Sequence, residues 1–320
     1  MMKTGFLANF NCTFGDKALP MLTHFEDIIW PAFFEASQQQ HKFKGNSKKT
    51  SFFLDNVEIK KGEDEKFYLT GIIVKKTVLE VKSKYSENRI VKADESYDSA
   101  PYSIFSISLE NHRMILVKNQ KGSPTISNFK KLVKGVLYEY VGEFNKKNKG
   151  NELPYPSINI VEIPLKSKIE EEIMKLSKIN VITFRLYPLN GDISMGSVFN
   201  SLRNKMENLG SNSSNYNINT PKNDEEVIET IKDAGDTAKV IIKGKTKNNT
   251  NITLKNESFS KQADIEINES EEVASEIGEV VSQLTDIPEF KNTSPDNKKI
   301  YEEKQSNIIS LFEWSNKNGR

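Results

Sequence analysis

The chain has 320 residues, enough for two ordinary domains, each with its own core. Its 45 Lys/Arg against 44 Asp/Glu leave a net charge of +1, and 36% hydrophobic with 28% charged residues is low in apolar content but still globular. The lone Cys12 excludes an intramolecular disulfide, and no apolar run approaches the roughly 20 residues that a membrane helix needs.

The net charge hides an asymmetry. Residues 1–150 hold 24 Lys/Arg against 17 Asp/Glu, so the front is basic and the remainder acidic. That pattern points to an anionic partner for the front, or to an electrostatic interface between the halves. The N-terminus MMKTGFLANF lacks the h-region and cleavage site of a signal peptide, and a single cysteine fits a reducing compartment, so a cytoplasmic location is expected.

Thr4 to Phe14 alternates loosely and predicts a first strand, with Cys12 a small buried hydrophobe within it. Lys17 to Ala36 predicts a helix interrupted at Pro31. Residues 38–51, QQQHKFKGNSKKTS, read as a mobile or binding loop. Strands are expected at Phe52 to Ile59, Phe67 to Val74 and Val78 to Val81, followed by a polar loop from Lys82 to Ser99, with Arg89-Ile90-Val91 as an alternative short strand within it. Pro101 to Tyr140 predicts a hairpin with a polar turn at Glu110-Asn111-His112, running into an amphipathic helix. Ser123-Pro124 offers the helix N-cap, with Thr125 and Ser127 as rivals. Phe129, Leu132, Val133, Val136 and Leu137 mark its apolar face, and Lys130, Lys131 and Lys134 crowd the other.

Asn145 to Asn151, NKKNKGN, reads as a linker. Beyond it, strands are expected at Ile158 to Ile163, Val181 to Tyr187, Lys239 to Gly244, Ile252 to Leu254 and Ala263 to Ile267. Helices are expected over Ser167 to Leu176, Met195 to Leu209, Asp224 to Ala234, Glu269 to Leu284 and Asp296 to Trp314, with Gly210 an αL cap and Ser211 to Lys222 a loop. Gly122, Gly142, Gly150 and Gly244 read as turn glycines. The fold class is α+β, with two domains, each a mostly antiparallel sheet with helices packed on one face. The basic domain covers 1–144, a linker 145–156, and an acidic domain with a C-terminal helix 157–320.

Chemistry-bearing motifs are few. His24, His41 and His112 are scattered, without ligand spacing to one another or to Cys12, and no Gly-rich phosphate loop is present. No cofactor or metal is implied, and the sequence favours a binder over an enzyme. Glu80-Val81-Lys82 at the end of an apolar strand matches the Glu-x-Lys pair of metal-dependent nucleases, with Asp55 or Asp64 as the upstream carboxylate. Such triplets, Glu58-Ile59-Lys60 being another, also arise by chance in a chain so rich in lysine.

The basic set carries more weight. Lys42, Lys44, Lys48, Lys49, Arg113, Lys118, Lys121, Lys130, Lys131 and Lys134 would form one surface if the loop 38–51 lies beside the helix. Such a surface would grip phosphates without reading sequence. Only five of the 45 basic residues are arginine, which favours backbone contact over bidentate base readout. A run of lysines is also the ordinary composition of a solvated helix face.

Gly5-Phe6-Leu7-Ala8, the apolar helix after it, the strand Phe67 to Thr70 and the segment MILVKNQKGSPTISNFKKLV together give residues 5–140 a layout that resembles the RexA-like phage-exclusion proteins. The resemblance implies a DNA-binding, non-enzymatic protein of an abortive-infection system, homodimeric and acting with a membrane-protein effector. It carries over no site residue. The sequence reading is thus DNA-backbone binding by the basic front and self- or partner association by the acidic rear. A metal-dependent nuclease and a protein–protein adaptor are the alternatives.

Overall fold

The structure, a computed structural model, describes residues 1–39, 43–44, 50–191, 197–268 and 272–318. In chain order the strands begin with β1 (Met2–Phe14), β2 (Leu19–Pro20), β3 (Phe43–Lys44), β4 (Ser51–Lys61), β5 (Phe67–Ser86), β6 (Arg89–Ser99), β7 (Tyr102–Ser108) and β8 (Arg113–Lys118). They continue with β9 (Pro156–Glu162), β10 (Leu176–Leu186), β11 (Ser214–Asn219), β12 (Ala238–Thr246), β13 (Asn251–Lys255) and β14 (Gln262–Glu266). The helices are α1 (Trp30–Gln38), α2 (Ile126–Lys147), α3 (Lys166–Met174), α4 (Ser197–Asn208), α5 (Asp224–Ala234), α6 (Val273–Gln283), α7 (Pro288–Lys291) and α8 (Pro295–Asn318).

β1 is the hub of the larger sheet. One edge pairs with β8, while the other is shared by β14 at residues 2–6 and β9 at residues 8–14, all antiparallel. The main path runs β14-β1-β8-β7-β5-β4-β3. The alternation of β1 explains why it sits centrally. Ala8, Phe10, Cys12 and Phe14 face a core beneath α1, α2 and α8, and Leu7 faces a second core against α6 and α7. The α+β class and the antiparallel sheets with packed helices stand, and α6 adds cover on the opposite face of this sheet.

The smaller sheet, β11-β10-β12-β13, has its own core of Ile182, Phe184, Leu186, Val240, Ile242 and Leu254 against side chains of α3, α4 and α5. β9, which starts at Pro156, and β14 and α8 further on belong to the larger sheet and its cores although they follow the expected linker. The stretch 145–156 therefore joins segments that share one sheet. Its start is not a linker, since α2 runs on to Lys147.

Local departures from expectation have local causes. The segment before Pro31 opens as a 3₁₀ turn over Met21–His24 and a π turn over Phe25–Ile29, so the proline falls in the first turn of α1 and needs no kink. The cap of α2 is Thr125, not Ser123. The Thr125 hydroxyl accepts from the Asn128 N–H at 3.3 Å, and the Asn128 side chain accepts from the Thr125 N–H at 2.9 Å. Ser123 instead donates to Asn119 Oδ1 at 2.6 Å. The expected loop Lys82 to Ser99 is strand on both sides of a turn at Glu87-Asn88, with the short strand at Arg89-Ile90-Val91 part of β6, and Ser214–Asn219 is strand too. Gly142 lies within α2, and Gly244 lies within β12, where a Cβ would meet the Lys178 carbonyl oxygen at 2.5 Å.

The turn Glu110-Asn111-His112 is polar yet almost fully buried. The Asn111 Nδ2 lies 3.2, 3.0 and 3.0 Å from the carbonyls of Glu289, Phe290 and Asn292, and Glu110 is ion-paired with Lys66. It docks the C-terminal segment rather than meeting water. Cys12 is free and buried, as expected.

Candidate nucleic-acid interface

α2 positions the first part of the site. Ile126, Phe129, Leu132, Val133, Val136, Leu137 and Val141 are buried on one face, each contributing roughly 1.5–3 kcal/mol of burial. The helical period then forces Lys130, Lys131 and Lys134 to the other side, with Lys131 and Lys134 exposed and Lys130 half-buried.

The smaller sheet supplies the second part. Its helix-covered face takes Ile182, Phe184, Val240 and Ile242, so alternation sends Arg185, Lys239, Lys243 and Lys245 to the opposite face. Lys255 of β13 joins them opposite Ile241, with Thr183, Thr253, Asn215, Asn217 and Asn219 between. Apart from Val181 and Ile241, the outward residues of these four strands are cationic or hydrogen-bonding, and none is aromatic.

The two parts meet at Tyr187. The Lys130 Nζ lies 6.0 Å from its ring centroid and the Arg185 guanidinium 5.6 Å. The loop after β10 is pinned to the larger unit, which sets this junction. Asn11 Nδ2 donates to the Pro188 carbonyl at 2.8 Å, and Asn190 Oδ1 accepts from the Met21 N–H at 2.7 Å. Burial, and next the charge of Lys239, push the Lys130 ammonium down to about 8, with Lys134 and Arg185 adding to the effect. Glu162 acts in the opposite sense. Its own carboxyl is held above the usual range, chiefly by burial.

Among the described residues, Lys130, Lys131, Lys134, Arg185, Lys239 and Lys243 take part in no ion pair. A cluster of cations left without carboxylate partners, partly desolvated and lined by hydroxyl and amide donors, can hold a polyanion by charge-assisted hydrogen bonds.

The ten residues singled out in the sequence divide. Lys130, Lys131 and Lys134 lie on the shared α2 face. Lys118 lies over the Phe6 ring at 4.4 Å, with its ammonium lowered by burial, and Lys121 is exposed in the turn that follows. Arg113 is a correction. It is ion-paired with Asp236, both largely buried, so its charge is already neutralised and is no part of a phosphate surface. Lys44 falls in the short β3, while Lys42, Lys48 and Lys49 lie outside the described residues.

Arg185, Tyr187, Lys239, Lys243, Lys245 and Lys255 went unnoticed in the sequence. The signal was present in Ala238–Thr246, AKVIIKGKT, where lysines alternate with Val240 and Ile242. The acidic helices α5 and α6 hid it in the summed charge.

Glu80 and Lys82 lie at the exposed end of β5, with Lys82 paired to Glu80 at 3.6 Å and Asp94 at 3.0 Å. Among the described residues no group of three His, Cys, Asp or Glu side chains could hold a metal ion. No described helix is long and apolar enough to cross a membrane. The chain matches no family model, no curated protein and no solved structure.

Proposed function

We propose that this protein binds DNA through its phosphate backbone, without sequence readout. The lysine face of α2 and the outer face of the smaller sheet act as one surface. The observation that carries the reading is the convergence of Lys130 and Arg185 on Tyr187, with Lys239 opposite Arg185 and close enough to act on the Lys130 charge. Lysine predominance supports phosphate contact, since ammonium groups act as point charges where base edges call for planar, bidentate donors. None of the outward residues of the four strands is aromatic and Tyr187, at the junction, is buried; this favours duplex over single strands, which are gripped by base stacking. The surface joins both halves of the sequence instead of the front alone.

The biological setting is proposed from the residues 5–140 resemblance. The protein would be a sensor or regulator of a phage-exclusion system, homodimeric, with a membrane-protein effector downstream.

A gel shift on linear and plasmid duplex, over roughly 50 to 300 mM salt, tests the binding. Affinity should fall steeply and equally for unrelated sequences. Absent or salt-independent binding would overturn the proposal.

A further inference from the structure

Beyond the larger sheet, the chain extends an arm. β4 accompanies β5 as far as Lys76 and β7 as far as Val74, after which β5 pairs with β6 alone, from Thr77↔Ser99 to Ser86↔Arg89. The turn Glu87-Asn88 has φ of +51° and +56°, the left-handed pair that a tight two-residue hairpin requires. A lone two-stranded ribbon is marginal in water. This one nevertheless exposes Leu79 by 57%, Tyr85 by 73%, Ile90 by 78% and Tyr97 by 54%.

The register shows how these residues are arranged. The irregularity between Val81 and Ser83 puts the extra residue in β6, so β5 alternates without interruption. One face of the arm then carries four rows, Leu79 beside Tyr97, Val81 beside Glu95, Ser83 beside Lys92, and Tyr85 beside Ile90. An apolar row lies at each end, with one acidic and one basic row between them. The order is self-complementary under a two-fold axis lying across the strands.

We infer that this face is covered by the same face of a second copy of the chain. The axis stacks Leu79 on Tyr85 of the second copy, Tyr97 on its Ile90, and Glu95, whose carboxylate also takes the Lys84 ammonium at 2.8 Å and the Tyr97 hydroxyl at 2.9 Å within its own arm, beside the second copy's Lys92. Nucleic acid is the poorer occupant. Residues 77–99 hold four basic and five acidic side chains, and Lys82, Lys84 and Arg89 are already paired with Asp94, Glu95 and Glu87. The inference is independent of the DNA surface, since the arm contributes nothing to it.

The test is the mass of the full-length, nucleic-acid-free protein by sedimentation across a concentration series. The wild type forms a dimer of twice 36.4 kDa. Lys92→Glu and Glu95→Lys, each placing like charges face to face, weaken it about tenfold or more, and the double variant recovers it. An equimolar mixture of the two single variants also dimerises, because both contacts become complementary. Leu79→Ser with Ile90→Ser abolishes the dimer and leaves the urea midpoint of the monomer unchanged, as the arm lies outside the described cores. A wild type that stays monomeric at tens of micromolar overturns the inference. So does a dimer indifferent to the single swaps, or a folded double variant that fails to recover.

Discussion

Arg185 and Lys239 stand directly opposite each other on β10 and β12, two like charges on the same outward face. Such a pair destabilises a sheet by about 0.2–1 kcal/mol, and a phosphate between them reverses the sign. Lys239→Gln should therefore raise the urea midpoint of the free protein slightly. The same change should weaken DNA binding and lower the salt slope by about 1. A variant that loses stability and retains affinity would show that the pair is structural.

Lys130 gives the surface a pH dependence. Its folded ammonium is lowered to about 8, chiefly by burial, so it begins to lose its proton above that pH while the unfolded chain keeps one up to the ordinary lysine range. The unfolded state then binds more protons, so this group's contribution to stability rises with pH from about 8 to about 10.5. DNA affinity moves the other way, falling as pH passes 8. Titration of binding from pH 7 to 9 should show the fall in the wild type and a flatter profile in Lys130→Gln.

His112 is fully buried and its imidazole is depressed to about 3, first by desolvation and then by the Arg113 charge. Folded His112 stays neutral while the unfolded residue takes up a proton below its ordinary value of 6.5. Its contribution is fully present above pH 6.5 and is lost as pH falls toward 3, by an amount on the order of a few kcal/mol. Urea midpoints at pH 7 and 4.5 measure it. His112→Asn, which tolerates the left-handed φ of +57°, should lose part of that slope.

Asn111 holds the C-terminal segment to the β7–β8 turn through three carbonyls. Asn111→Ala leaves the buried Phe290 carbonyl and the part-buried Glu289 and Asn292 carbonyls without that donor and should destabilise the protein by about 1–3 kcal/mol, with faster hydrogen exchange around 287–292. An unchanged exchange rate would mean that apolar packing of Phe290 suffices.

Much of the larger unit was legible in the sequence, because Phe129, Leu132, Val133, Val136 and Leu137 repeat at helical spacing and Ile104 to Leu109 at strand spacing. Three features were not, or only in part. The arm from Thr77 to Ser99 was legible as strand only at Val78 to Val81 and, as an alternative, at Arg89 to Val91, because elsewhere no buried face writes an apolar pattern and the strands rest on cross-strand pairs and a tight turn. Asn111 and His112 look like turn residues because the segment that buries them lies nearly 180 residues away. Of the site, only the α2 lysines could be read. The sheet half depended on which face of β12 the helices cover, and a net charge summed over 157–320 averages that face against α5 and α6.

The central claim is that α2 and the outer sheet face form one DNA surface. The salt dependence of duplex affinity tests it most directly, measured for the wild type, Lys130→Gln with Lys134→Gln, Lys239→Gln with Lys243→Gln, and the four changes together. Each pair should lower the slope by about 2 and the combination by about 4. A slope that responds to one pair alone, or to neither, would contradict a shared surface.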